Sequence, residues 1–178
     1  MSCHARGFTL ADLVIGLAIA GILAGVAVPA LLSARYAGDS VAVQASLLSS
    51  LMQSSHKAAL HGLRATLCPS RDGIRCNTGF DWSNGWIAFL DTNANREREP
   101  DEHLILRQGE LENARLISSS ARTRIVFQGN GGNAGSNVTF TLCDRRGADK
   151  ALALVVSNTG NLRRGLLDED RIALACVF

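Results

Sequence analysis

Residues 13–32 form a run of twenty positions without a charged side chain, and only beyond them do polar and apolar residues begin to interleave. At ~1.5 Å of rise per residue, a helix of that length spans roughly 30 Å, the thickness of a bilayer's hydrocarbon core. The helical period continues past the run. Val41, Ala45, Leu48, Met52 and Ala59 recur at helical spacing, with Leu47 and Leu51 broadening the stripe. Gln44, Ser50, Gln53, Ser54 and Lys57 occupy the other faces. Gly38-Asp39-Ser40 is a weak point or a local N-cap within this pattern, and Gly62 is a natural stop. The pattern predicts one helix over 8–61, apolar all round in its first half and amphipathic in its second.

After Gly62 the period changes to two. Strands are predicted at 65–68, 85–91, 104–107, 115–118, 123–128, 137–143, 151–157 and 171–177. Val138, Phe140 and Leu142 alternate with Thr139, Thr141 and Cys143, the pattern of a half-buried strand. Residues 151–156 are apolar on both faces and predict a central strand. Asn158-Thr159-Gly160-Asn161 reads as a tight hairpin turn. The fold class is therefore α+β: a long N-terminal helix with a transmembrane first half, packed on a small antiparallel β-sheet domain. A length of 178 residues suits one membrane helix and one such domain.

The entry to the apolar run is Gly7-Phe8-Thr9-Leu10-Ala11-Asp12-Leu13, preceded by a short polar leader carrying Arg6. This arrangement resembles a type IV prepilin. The resemblance implies cleavage after Gly7 by a prepilin peptidase and N-methylation of the new terminal residue, Phe8. It also implies pairing of Asp12, the fifth mature residue, with the terminal amine of a neighbouring subunit. Chemistry is consistent with each role. Glycine offers a protease an unobstructed backbone, and a carboxylate in apolar surroundings is costly unless paired. The family usually has glutamate at the fifth position, so Asp12 keeps the charge with one methylene less reach. Pro29 falls where many members carry a kinking proline. An ordinary secretory signal is the rival, with Gly25-Val26-Ala27 imitating its cleavage site; the length of the apolar core and Asp12 within it argue against it. A plain single-span anchor explains the length but not the Gly7-Phe8-Thr9-Leu10 entry. The expected division is a cleaved leader at 1–7, a membrane half of the helix at 8–32, an amphipathic half at 33–62 and a β-rich domain at 63–178.

The formal net charge of +2 falls to about +1 once Arg6 is removed, which excludes a global electrostatic attraction to nucleic acid. Cys3 lies in the leader, leaving Cys68, Cys76, Cys143 and Cys176. An even number in an exported domain points to disulfides. Of the three connectivities, Cys68–Cys76 with Cys143–Cys176 is preferred: the first closes a short loop holding Pro69 and Gly73, and the second ties the chain end to an earlier strand. A zinc site is the rival, without a C-x-x-C or a nearby histidine to support it.

Several ectodomain motifs narrow the family. They are Thr66-Leu67-Cys68-Pro69-Ser70, Asp72-Gly73 with Cys76, Asp81-Trp82-Ser83-Asn84-Gly85-Trp86-Ile87-Ala88-Phe89, and Thr141-Leu142-Cys143-Asp144. They resemble the FimT/GspH group of type IV minor pilins and type II secretion pseudopilins. The resemblance implies a minor pilin, in or at the tip of a type IV pilus. Its anchor would be a single pass through the bacterial inner membrane, its ectodomain would be periplasmic, and its partners would be other pilins. The alternative it implies is a GspH-like pseudopilin acting in protein secretion. Trp82 and Trp86 are expected in the core. FimT proteins of transformable bacteria are implicated in DNA binding through a C-terminal Gly-Arg-x-Arg motif. The matching positions here are Gly160, Asn161, Leu162 and Arg163, followed by Arg164, so the first arginine is missing. With Arg145, Arg146 and Lys150 one strand earlier, these side chains make DNA a candidate partner. A solvated turn balanced by Asp168, Glu169 and Asp170 is the rival reading.

Two further patterns bear on chemistry. Residues 91–102 place oxygen side chains at loop positions 1, 3, 5, 7, 9 and 12, the ligand rhythm of an EF-hand calcium loop. Position six requires a glycine-like turn and is Arg96, so the expectation is a solvated connection and no metal. His56, His61 and His103 accompany no nucleophile-and-base arrangement. The expectation is a protein that is not an enzyme and needs no cofactor.

Overall fold

The computed structural model describes residues 9–120, 122–133 and 135–178. Helix α1 (Leu10–His61) runs unbroken for 52 residues, and Gly38, Asp39 and Ser40 lie within it rather than at a cap. Thr9 and Asp12 close its start reciprocally. Asp12 Oδ2 accepts from Thr9 N at 3.0 Å and from Thr9 Oγ1 at 2.8 Å, while Asp12 N donates to Thr9 Oγ1 at 3.3 Å. This is a capping box with aspartate in the usual glutamate position. At the other end Gly62 takes a φ of 65° and Leu63 N donates to Ala58 O at 3.2 Å. That left-handed cap is open to glycine at little cost.

The chain divides into two bodies. The described part of the first, up to Arg35, is almost entirely helix. Its large apolar side chains, Leu13, Ile22 and Leu31 among them, are exposed. α1 is the one helix among the described residues long and apolar enough to cross a membrane.

The second body, Tyr36–Phe178, holds the remainder of α1 and two four-stranded antiparallel sheets. One sheet has the order β3-β2-β1-β5, built from β1 (Arg64–Pro69), β2 (Trp86–Asp91), β3 (Leu104–Gln108) and β5 (Ile125–Phe127). The other has the order β4-β6-β7-β8, built from β4 (Ala114–Ser118), β6 (Val138–Asp144), β7 (Leu152–Val156) and β8 (Leu162–Arg164). Seven strands fall where the sequence predicted them. β7 is interior, between β6 and β8, as its two-faced apolar pattern requires. The turn after it closes through Ser157 N to Asn161 O at 2.9 Å.

Both sheets and α1 share one core. Val43, Leu47, Leu51 and Ala58 of the helix pack with Leu67, Trp86 and Leu90 of the first sheet and with Leu116, Phe140, Leu142 and Leu154 of the second. Trp82 and Trp86 are fully buried, and the Trp82 ring meets Phe140 edge-on at 5.1 Å. Gly85, just before β2, lets the end of β3 come close: its φ is 106°, and a Cβ would stand 2.4 Å from Gln108 O.

Two elements differ from expectation. Residues 171–177 are not a strand; α2 (Glu169–Ala175) occupies that stretch. Asp168 caps it by accepting from Asp170 N at 3.1 Å, and acidic residues fill its first turn. Ile172, Ala175 and Cys176 pack on Ile117, Cys143 and Ala151. A spacing of three and four residues serves a helix, while the isolated Ile172, Leu174 and Cys176 imitate a strand. β8, by contrast, falls in a segment read only as a turn, because three residues are too few to show a period.

Candidate assembly surface and basic side chains

Helix α1 presents two apolar stripes in its second half, and only one is used internally. Val43, Leu47, Ser50, Leu51, Ser54 and Ala58 are buried. Val41, Ala45, Leu48, Met52 and Ala59 are exposed, with Val41 at 64% and Met52 at 63% of their full accessibility. Of the stripe traced by helical spacing, Leu47 and Leu51 face the core while the rest looks outward, and Ser50 and Ser54, placed on the other faces, are inside. The serines are tolerated because their hydroxyls are satisfied locally. Ser50 Oγ donates to Ser46 O and Ser54 Oγ to Ser50 O, each at 2.7 Å. Ser50 Oγ also accepts from Trp86 Nε1 at 2.9 Å, so the buried indole N–H finds its partner on the helix.

Of the residues singled out for processing and assembly, Gly7 and Phe8 lie outside the described residues. Asp12 is exposed and, among the described residues, is engaged only with Thr9. The structure pairs Cys68 with Cys76 and Cys143 with Cys176, with Cα–Cα separations of 5.5 Å and 5.3 Å. The first bridge closes the loop before β2; the second fastens the end of α2 to β6.

The four arginines considered for DNA do not form one cluster. Arg146 is committed to Asp144, its Nε donating to Oδ1 at 2.9 Å and its Nη2 to Oδ2 at 2.7 Å. Arg145 sits with its guanidinium carbon 5.7 Å from the Phe178 ring centroid. Arg163 and Arg164 are consecutive on β8 and exposed, and strand geometry sends them to opposite faces. Register places Arg164 opposite Leu154 and Leu154 opposite Phe140. Arg164 is thus four residues up the sheet from Asp144 and two strands across, roughly 13 Å by roughly 10 Å.

Sequence reading missed a polar centre that joins α1 to the second sheet. Asp144 is fully buried, and its Oδ2 accepts from Ser40 Oγ at 2.5 Å besides the Arg146 fork. Burial pushes the Asp144 carboxyl up, but hydrogen bonds from Arg146 and Ser40 and the adjacent guanidinium outweigh it and hold the group below the usual carboxylate range. Asp144 following Cys143 at a strand end carried no sequence signal for a partner 104 positions away.

Residues 44–160 match the family model of the type II transport protein GspH. No match was found among curated protein sequences. Among solved structures, the type IV minor pilin FimU of Pseudomonas aeruginosa (strain PAO1) superposes with a TM-score of 0.51 at 15% identity, covering 75% of this chain and 90% of FimU. A second FimU structure gives 0.49 at 17% identity, covering 68% and 88%. The minor pseudopilin EpsH from the type 2 secretion system of Vibrio cholerae gives 0.48 at 13% identity, covering 71% and 96%. At these identities the likeness speaks to the fold, and the first superposition carries that conclusion.

Proposed function

Because the chain belongs to the GspH family of type II transport proteins, a family of minor pilins and pseudopilins, we propose that it is a non-enzymatic minor pilin of a type IV pilus. In this reading the leader at 1–7 is removed after Gly7, Phe8 is methylated, and the membrane half of the helix anchors the subunit in the bacterial inner membrane. The ectodomain is then periplasmic until assembly places it in the filament or at its tip. Asp12 pairs with a neighbour's terminal amine. The observation that carries the reading is the exposed Val41–Leu48–Met52 stripe on a helix whose first half is also apolar and exposed. Such a surface on a single chain calls for other apolar helices.

Two measurements test it. Mass spectrometry of the mature protein is expected to show a chain starting at methyl-Phe8; a start at Ala27 or Ala30 instead would point to a secretory signal and sink the processing scheme. Leu48→Glu with Met52→Glu is expected to leave stability within ~0.5 kcal/mol, since both positions are exposed, while removing the subunit from sheared filaments. Normal incorporation of that variant would discard the stripe as an assembly surface.

The description of the matched family favours a second reading, a pseudopilin that helps move folded proteins across the outer membrane. Scoring a deletion strain for twitching and for secretion separates the two. Binding to DNA is a subsidiary expectation resting on Arg163 and Arg164, which would grip phosphates without reading sequence. A gel shift with the full chain in detergent should be weak, fall with added salt and vanish in Arg163→Gln with Arg164→Gln. The absence of any shift at low salt would remove DNA from the proposal.

A further inference from the structure

The hairpin loop between β2 and β3 holds two carboxylates that the fold leaves without a cation. Asp91 is 1% exposed and Glu102 is 3% exposed, and neither forms an ion pair among the described residues. Burying a carboxylate is costly unless a counter-charge or full hydrogen bonding offsets it. Asp91 Oδ2 accepts from Thr66 Oγ1 and from Arg96 N, each at 3.0 Å. The second bond turns the carboxylate into the loop. Its other oxygen, Oδ1, is buried with no hydrogen-bond partner. Glu102 folds back onto the same loop, accepting from Thr92 N at 2.8 Å and from Glu99 N at 3.1 Å. Loop positions 1 and 12 therefore both accept loop N–H groups, and one buried anionic oxygen of Asp91 is left without a partner.

The backbone also answers the objection raised by Arg96 at position six. Arg96 adopts a φ of 66°, the left-handed conformation for which a glycine would otherwise be required, and it is exposed. No three acidic, histidine or cysteine side chains converge among the described residues, so carboxylates alone do not complete a site. Asn93 and Asn95 supply the neutral oxygens. Each uses its Oδ1 to accept a loop N–H, Asn95 N at 3.0 Å and Glu97 N at 2.8 Å, and an amide oxygen retains a second lone pair.

We propose that the loop 91–102 binds one calcium ion, through Asp91, Asn93, Asn95, the main-chain carbonyl of Glu97 and Glu102. An all-oxygen set with two carboxylates suits a hard cation, and a loop of this length with mixed carboxylate, amide and main-chain oxygens suits calcium over the smaller, stricter magnesium. The site is independent of the pilin reading. It revises the expectation of no metal drawn from the residue at position six.

The test uses the full chain in detergent micelles, stripped with a chelator and titrated with calcium chloride or magnesium chloride by calorimetry and thermal melting. One calcium should bind with a Kd of about 10⁻⁴–10⁻³ M, the range of extracellular calcium modules. At about a hundredfold excess over Kd, Tm should rise by about 5–10 °C, with a much smaller response to magnesium. Asn95→Ala, an exposed change whose own effect on Tm is read from the chelator-stripped variant, should weaken binding about tenfold by deleting one ligand. Arg96→Gly should tighten it about tenfold by removing a nearby positive charge. Glu102→Gln should abolish it, but its burial makes folding less secure, so the two exposed variants decide. The proposal is overturned by no heat and no Tm shift at about 10 mM calcium, which is above that affinity range. An equal response to magnesium, or unchanged binding in both Asn95→Ala and Arg96→Gly, would also overturn it.

Discussion

Replacing Asp144 by alanine is expected to destabilise the ectodomain by about 3–5 kcal/mol, the usual consequence of removing one partner from a buried pair. The side chain is fully buried, whereas Arg146 keeps 21% of its exposure, which places the effect near the lower end. The loss has two parts. Arg146 is left partly buried without its forked acceptor, and Ser40 Oγ, itself buried in the helix, loses its acceptor. Asp144→Asn should cost less, since an amide oxygen still accepts from Ser40. Urea unfolding of the full chain in detergent is the measurement, and a change below about 0.5 kcal/mol would mean that the network is idle. The same centre sets an acid dependence. The folded carboxyl titrates below its unfolded value of about 3.9, so the folded state resists protonation that the unfolded chain accepts. Its contribution is complete above that unfolded value and is lost as pH falls below about 4 and through the folded value. In Asp144→Asn that part of the acid sensitivity should be missing.

Removing the second disulfide, by Cys143→Ser with Cys176→Ser, should cost about 3–4 kcal/mol. The bridge closes 33 residues, and loop-closure entropy grows with the logarithm of that length. Cys68–Cys76 closes eight, and by the same relation its loss should cost about 2.5 kcal/mol. The longer bridge has a structural consequence as well. α2 has seven residues, too few to hold a helix alone in water. It is kept by the bridge and by the packing of Ile172 and Ala175 on Ile117 and Ala151. Without the bridge, hydrogen exchange should speed first in 169–176. Exchange in α2 that stayed as slow as in β6 would show that packing alone retains it.

The legibility of the fold followed the strength of each local signal. Twenty uncharged, apolar residues read as a long helix, the run at 137–143 became a strand because alternation over seven residues is hard to produce by accident, and the short apolar run at 86–90 became a strand buried on both faces. Single glycines also read correctly: Gly62 ends the helix by adopting a conformation that other residues resist. The signal failed where it was short. Ile172, Leu174 and Cys176 fit either period over one turn, and the helix prevailed because Asp168 caps it and Cys176 is tied to β6.

The assembly surface and the loop site were legible only in part. Val41–Leu48–Met52 and Val43–Leu47–Leu51 are both apolar at helical spacing, so periodicity predicts an amphipathic helix without saying which stripe meets the sheets. Tertiary packing chose the second, since Ser50 offers a hydroxyl to Trp86 and the small Ala58 admits close approach. The loop's oxygen rhythm was visible in the residues, whereas the burial of Asp91 and the left-handed turn at Arg96 were not. The sequence by itself determined the long helix, seven of the strands and the even set of exported cysteines, because those depend on neighbours within a few positions or on composition. Only the tertiary structure decided which helix face is left outward, how the four arginines are separated and where unpaired charge is buried, because each depends on residues brought together from distant parts of the chain.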